Sequence, residues 1–131
     1  MFTSIKTSKK NKEAVTQLTR RLNLGAENII ARIAFSYSLS FDNKLDLTSM
    51  KDSQGKEYSA KVLFGEYTDF YLALVCVHYN LYKSDRDISR YVKMHIDDGL
   101  ELIQKEIEQK STITGEEFLI NAIEKGLKFL T

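Results

Sequence analysis

The stretch Ser84-Asp-Arg-Asp-Ile-Ser-Arg-Tyr-Val-Lys-Met-His-Ile-Asp-Asp-Gly-Leu-Glu-Leu-Ile-Gln-Lys-Glu-Ile-Glu108 decides the fold class. Ile88, Tyr91, Val92, His95, Gly99, Leu102 and Ile103 recur on one stripe at helical spacing, which predicts a long helix with one face against a core. Ser84 with Asp87 three residues on reads as a capping box that opens it, with Asp in place of the usual Glu or Gln. Downstream, Thr114 and Glu117 make a fuller capping box and start a last helix bearing Phe118, Leu119, Ala122, Ile123, Leu127 and Leu130. Upstream, Tyr67 to Tyr82 is nearly all apolar and aromatic. A helix apolar on all sides belongs at the centre of a small protein or under a subunit interface.

Between Ser40 and Gly65 the turn signals Asp42-Asn43, Asp52-Ser53 and Gln54-Gly55 predict a loop region. Within it, Lys61-Val-Leu-Phe64 reads as either a short strand or a buried hydrophobic anchor. Further upstream are two helices, Lys9 to Asn23 and Ala26 to Leu39. The first carries Val15, Leu18 and Leu22 behind the N-cap Ser8, and the second Ile29, Ile30, Ile33, Ala34 and Tyr37 with Arg32 on the flank. The run Phe2 to Ser8 alternates with period two and predicts a short strand. That strand pairs either with the 56–63 region or with its own copy in another chain, because a lone strand leaves its backbone groups unbonded.

The expected fold is therefore mainly α, about five helices with a short N-terminal strand, and 131 residues fit one domain. Its parts are a strand-helix-helix unit over 1–39, a loop region over 40–65 and a helical part over 66–131. The absence of proline favours long uninterrupted helices. A 43% hydrophobic and 28% charged composition excludes disordered and fibrous classes. No apolar run reaches the length of a bilayer span, and Met1-Phe2-Thr3 followed by lysines does not start like a signal peptide. With the single cysteine, Cys76, these features lead us to expect a cytoplasmic protein without membrane contact.

Charge is unevenly distributed. The first 39 residues hold seven basic and two acidic side chains, whereas the whole chain carries only +1. Lys and Arg near phosphates release condensed counterions and steer association, so Lys6, Lys9, Lys10, Lys12, Arg20, Arg21 and Arg32 are the candidate phosphate contacts. Lys9, Lys10 and Lys12 occupy a helix's first turn, where the macrodipole disfavours cations. Such a placement suits an incoming anion held jointly by the lysines and the N-terminal amides. Arg20 and Arg21 lie where the dipole favours them, which a purely structural role explains equally well.

The candidates for chemistry are few. Cys76, His78 and His95 are the soft ligand types, but residues 76 and 78 lie about 200° apart on a helix, so a metal site is not expected. An apolar helix raises a thiol pKa, which argues against Cys76 as a nucleophile. Asp97, Asp98 and Glu101 read better as a surface face than as an acid-base pair. Phosphate-loop, dinucleotide and zinc-protease motifs are absent. Neither catalysis nor a cofactor is expected.

The blocks Glu27 to Leu39, Gly55-Lys-Glu-Tyr58, Leu63-Phe-Gly-Glu-Tyr67, Asp69 to Tyr79 and Lys93 to Ile103 resemble the DNA sulfur modification family DndE over about residues 2–103. The resemblance implies a small, mostly helical, non-catalytic DNA-binding component of the bacterial phosphorothioation system, which replaces a non-bridging backbone oxygen with sulfur. It further implies duplex DNA, a cysteine desulfurase, a PAPS-reductase-like protein and an ATPase as partners, and a homotetramer. The apolar 70–79 helix and the final helix likewise predict association, without separating dimer from tetramer. The alternative readings are a protein-binding scaffold without DNA contact and, behind it, an enzyme using Cys76 or the Asp97, Asp98 and Glu101 cluster. The segment 3–39 is also similar to the ribbon-helix-helix unit, whose strands pair between two copies and face the major groove. Ser4 and Lys6 would occupy that outward face.

Overall fold

The computed structural model describes residues 3–128. Leu130 and Phe2, which the sequence places in the last helix and the first strand, lie outside the described residues. The element order is β1 (Ser4–Lys6), α1 (Lys9–Leu22), α2 (Glu27–Ser40), β2 (Glu57–Ser59), α3 (Ala60–Phe64), α4 (Thr68–Tyr79), α5 (Ile88–Gln109) and α6 (Gly115–Lys128), with 3-10 turns at Leu47–Ser49 and Gly65–Tyr67. No described helix is long and apolar enough to cross a membrane.

In β1 the alternation turns Ile5 inward and Ser4 and Lys6 outward. Of the two pairings expected, the structure contains the one within the chain. β1 runs antiparallel to β2, with Ile5 opposite Tyr58 and Lys6 opposite Glu57. Gly55 makes this ladder possible beyond the strand end, since a Cβ there would lie 2.1 Å from the Ser8 carbonyl oxygen.

The helix α5 is the axis of the molecule, with β1, α1, α2, α4 and the Leu47–Ser49 turn packed around it. Residues 92–97 are therefore buried on every side, including the polar Lys93, His95 and Asp97. Of the two places expected for the apolar 67–82 segment, the centre of the protein goes to α5. In α4 only Val75 is fully buried, whereas Phe70, Leu74 and Val77 face outward, Val77 at 83% exposure. The closest helix contact is α2 on α5, where Gly99 lets the Ala34 carbonyl approach so near that a Cβ would stand 1.9 Å from its oxygen. Around the crossing Phe35, Phe64, Ile96, Leu100 and Ile103 are fully buried, each contributing about 1.5–3 kcal/mol by leaving water.

Two local expectations change. Residues 61–64 form no strand but the short helix α3, because the Ser59 hydroxyl accepts from Val62 N at 3.1 Å and caps it. The anchor reading holds: Leu63 and Phe64 are buried, and Phe64 stacks on Tyr71 with centroids 4.7 Å apart. Ser84 does not cap α5, which starts at Ile88. The Asp85 carboxylate instead accepts from Asp87 N at 2.8 Å, closing a turn before the helix. The caps at Ser8 and Thr114 form as expected, Thr114 Oγ1 accepting from Glu117 N at 3.1 Å. Gly115 sits on the Leu22 carbonyl and Phe118 meets the Tyr37 ring at 5.1 Å, which together seat α6 on α1 and α2.

Candidate nucleic-acid interface

At 100° per residue, Lys9, Lys12 and Arg20 fall within about 80° on the outer face of α1, and all three are exposed. Among the described residues none of these three side chains has an ion-pair partner. Thr16 lies within this arc, and the carboxylate of Glu13 lies about 20° beyond its edge, toward Gln17 and Lys10. Lys10 and Arg21 lie on the adjoining flank, where Lys10 Nζ is 3.6 Å from Glu101 and Arg21 donates to the Ser111 carbonyl at 2.7 Å. On β1, Lys6 Nζ stands 4.0 Å from Glu57, whose carboxylate also accepts from Ser4 Oγ at 3.1 Å. Arg32 lies elsewhere, at the junction of α2 and α3, donating to the Leu63 carbonyl at 2.6 Å. The structure thus gathers Lys9, Lys12 and Arg20, keeps Lys10 and Arg21 beside them, and separates Arg32.

The start of α1 differs from expectation. Its amides are already occupied by carboxylates of this chain: Ser8 N donates to Asp97 at 3.1 Å and Lys9 N to Asp52 at 2.9 Å. These bonds hold the Asp52 carboxyl below the usual range, those from Lys9 first and Gln54 next. A phosphate arriving here finds lysine side chains at a helix start whose Ser8, Lys9 and Asn11 amides are already bonded. Sequence reasoning missed both acids because they lie 43 and 89 residues away from their partners.

Asp97 is no surface group. Its carboxylate accepts from Ser8 N, from Asn11 Nδ2 at 2.8 Å and from Lys93 Nζ at 2.7 Å, and Lys93 also donates to the Asp52 carbonyl at 2.8 Å. Nearly complete burial of both charges makes the geometry essential, since a buried ion left without its partner costs several kcal/mol. Glu101 is taken up by Lys10 and Lys51. Glu27, the second of the two acidic residues among the first 39, is neutralised by Lys56 at 2.9 Å and bonded by Thr16 at 2.9 Å. The Lys56 hydrogen bond holds its carboxyl below the usual range.

His95 is completely buried, with both ring nitrogens engaged. Ser38 Oγ donates to Asp98 at 2.7 Å and so accepts from His95 Nδ1–H, also at 2.7 Å. His95 Nε2 then accepts from the Tyr79 hydroxyl at 2.6 Å, whose oxygen accepts Leu45 N–H at 3.0 Å. This relay joins α2, α4, α5 and the loop at Leu45 around a neutral imidazole. Burial, aided by nearby His78, lowers the His95 pKa to about 4. No cluster of three metal-binding side chains exists among the described residues.

The chain matches the family described as DNA sulphur modification protein DndE over residues 4–111. Its fold is similar to the crystal structure of DndE from Escherichia coli B7A involved in DNA phosphorothioation modification, at TM-score 0.64 and 15% identity, covering 79% of this chain and 98% of that one. It is also similar to the crystal structure of a DndE mutant involved in DNA phosphorothioation, at TM-score 0.65 and 17% identity with the same coverage. No curated protein matches. With the family match extending over most of its length, from β1 through the end of α5, the chain belongs to the DndE family of DNA sulphur modification proteins.

Proposed function

We propose that this protein is a non-catalytic, DNA-binding subunit of the phosphorothioation system, which grips duplex phosphates through the outer face of α1. The observation that carries the reading is the group Lys9, Lys12 and Arg20, three cations on one helix face without ion-pair partners among the described residues. Lys6, Lys10 and Arg21 border it. Their carboxylate and carbonyl contacts are partly exposed and can be exchanged for phosphate at little cost. Arg32, bonded at the α2–α3 junction, acts in the fold rather than on DNA. The buried state of His95 and the full coordination of Asp97 support a role without catalysis, as neither group can reach a substrate.

Assembly accompanies binding in this reading. Tyr67, Phe70, Leu74 and Val77 form an outward apolar stripe along α4, which associates with copies of the chain and sets several α1 faces on one duplex. The sulfur-transfer proteins then act on DNA positioned by the oligomer.

A salt titration tests the DNA contact. Affinity should fall with log salt at a slope of about −0.9 per phosphate contacted, and Lys9→Gln, Lys12→Gln and Arg20→Gln should together reduce the slope by up to about three per protomer engaged. An unchanged slope and affinity in the triple variant would transfer the reading to a scaffold that binds only proteins.

A further inference from the structure

Where α1 begins on α5, the contact is polar at a depth that elsewhere on α5 holds Val92, Ile96 and Leu100. Asn11, Lys93 and Asp97 are all buried there. Their chemistry is a poor source of stability. Desolvating an ion pair costs about as much as its attraction returns, so apolar residues of similar volume often serve as well or better. Lys93 also precedes Asp97 by four residues, the less favourable order for an ion pair along a helix. Asn11 adds a further cost: its Nδ2 donates to Asp97, but its Oδ1 is buried with no hydrogen-bond partner among the described residues.

What apolar side chains lack is direction. Farther along, α1 is seated through Val15, Leu18 and Leu22, whose attraction is non-directional and leaves a helix room to turn or slide. The polar group removes that freedom at the start of α1. One Asp97 oxygen accepts from Ser8 N and Asn11 Nδ2 and the other from Lys93, while Lys93 also donates to the Asp52 carbonyl and the Asp52 carboxylate accepts from Lys9 N. The α1 ends of these bonds, at Ser8, Lys9 and Asn11, lie within about one turn of the Lys9 and Lys12 side chains. We infer that Asn11, Lys93 and Asp97 are positioning residues for the DNA grip. Without touching DNA, they set the rotation and axial place of α1 so that Lys9 and Lys12 meet phosphates together with Arg20. This inference rests on the outer face of α1 being the one that binds DNA.

The test follows duplex binding by salt titration and folding by urea denaturation in the full chain. Asn11→Leu keeps the side chain's size, removes the unpartnered oxygen and leaves Lys93 paired with Asp97, so its urea midpoint should stay at or above that of the parent chain. Its DNA affinity should nevertheless fall about fivefold or more, with the salt slope reduced by about one. Lys93→Met with Asp97→Leu should weaken binding at least as much. Lys93→Met with Asp97→Asn, which returns an acceptor oxygen to Ser8 N and Asn11 Nδ2, should recover most of that loss. In a Lys9→Gln, Lys12→Gln background none of these changes should weaken binding further, because they act through those two lysines. Parent affinity and slope in Asn11→Leu overturn the inference, and so does a marked drop in its urea midpoint. A loss of equal size with and without Lys9 and Lys12 overturns it too, since that marks a general disturbance of the fold. Failure of the DNA reading itself looks different: replacing Lys9, Lys12 and Arg20 would then leave binding unchanged, and both conclusions would fall together.

Discussion

His95 shows how a single side chain ties stability to pH. Its folded pKa, about 4, lies below the ordinary value of 6.5, so the unfolded chain takes up this proton first as pH falls. The sign follows: stability is unaffected by this group above pH 7, declines as pH drops from about 6.5 to 4, and changes no further below. The full difference corresponds to about 3 kcal/mol for this completely buried ring. Urea denaturation across pH 4–7 should show that slope, and His95→Gln should flatten it while lowering stability at pH 7 through the broken links to Ser38 and Tyr79. A slope that survives His95→Gln would assign the effect to other groups.

Among the elements, the crossing of α2 on α5 is the least tolerant of change. Gly99→Ala places a Cβ against backbone rather than a movable side chain, so one helix has to shift. We expect a loss of about 1–3 kcal/mol in denaturant midpoint analysis, against a gain of up to about 1 kcal/mol for Gly126→Ala, where a Cβ meets nothing within 4 Å and alanine is the better helix former. Periodicity made α1, α2, α5 and α6 legible, and the cap hydroxyls of Ser8 and Thr114 marked the starts of α1 and α6, because an amphipathic stripe and a cap hydroxyl are local signals. Placement was less legible. The all-apolar α4 has no polar side to mark which face meets solvent, while Lys93 and Asp97 are residue types normally found outside, so neither marked α5 as the axis. In the same way, the lysines of α1 could be read from charge alone, but the acids closing its N-terminus could not, since only the folded chain brings Asp52 and Asp97 there.

For the whole molecule, the near-neutral total of +1 conceals a division between the basic α1 face and the apolar α4 stripe. If several copies engage one duplex, weakening their assembly weakens binding without altering a single phosphate contact. Val77→Glu should reduce the mass found by light scattering and lower DNA affinity on long duplexes at least tenfold, while affinity for a fragment too short for two protomers remains within about twofold. Equal losses on both lengths would mean that the stripe does not set several protomers on one DNA.

The closure of α1 by Asp97 also has a consequence for synthesis. Ser8 waits for a residue 89 positions later, and Ser4 for Glu57, 53 positions later. As the chain leaves the ribosome, its basic first helix emerges well before the acids that complete it, and its N-terminus becomes fixed only when α5 has arrived. A nascent protein of this design carries an unfinished cationic helix in a cell full of polyanions, and the step that completes its core is also the step that first fixes the start of that helix.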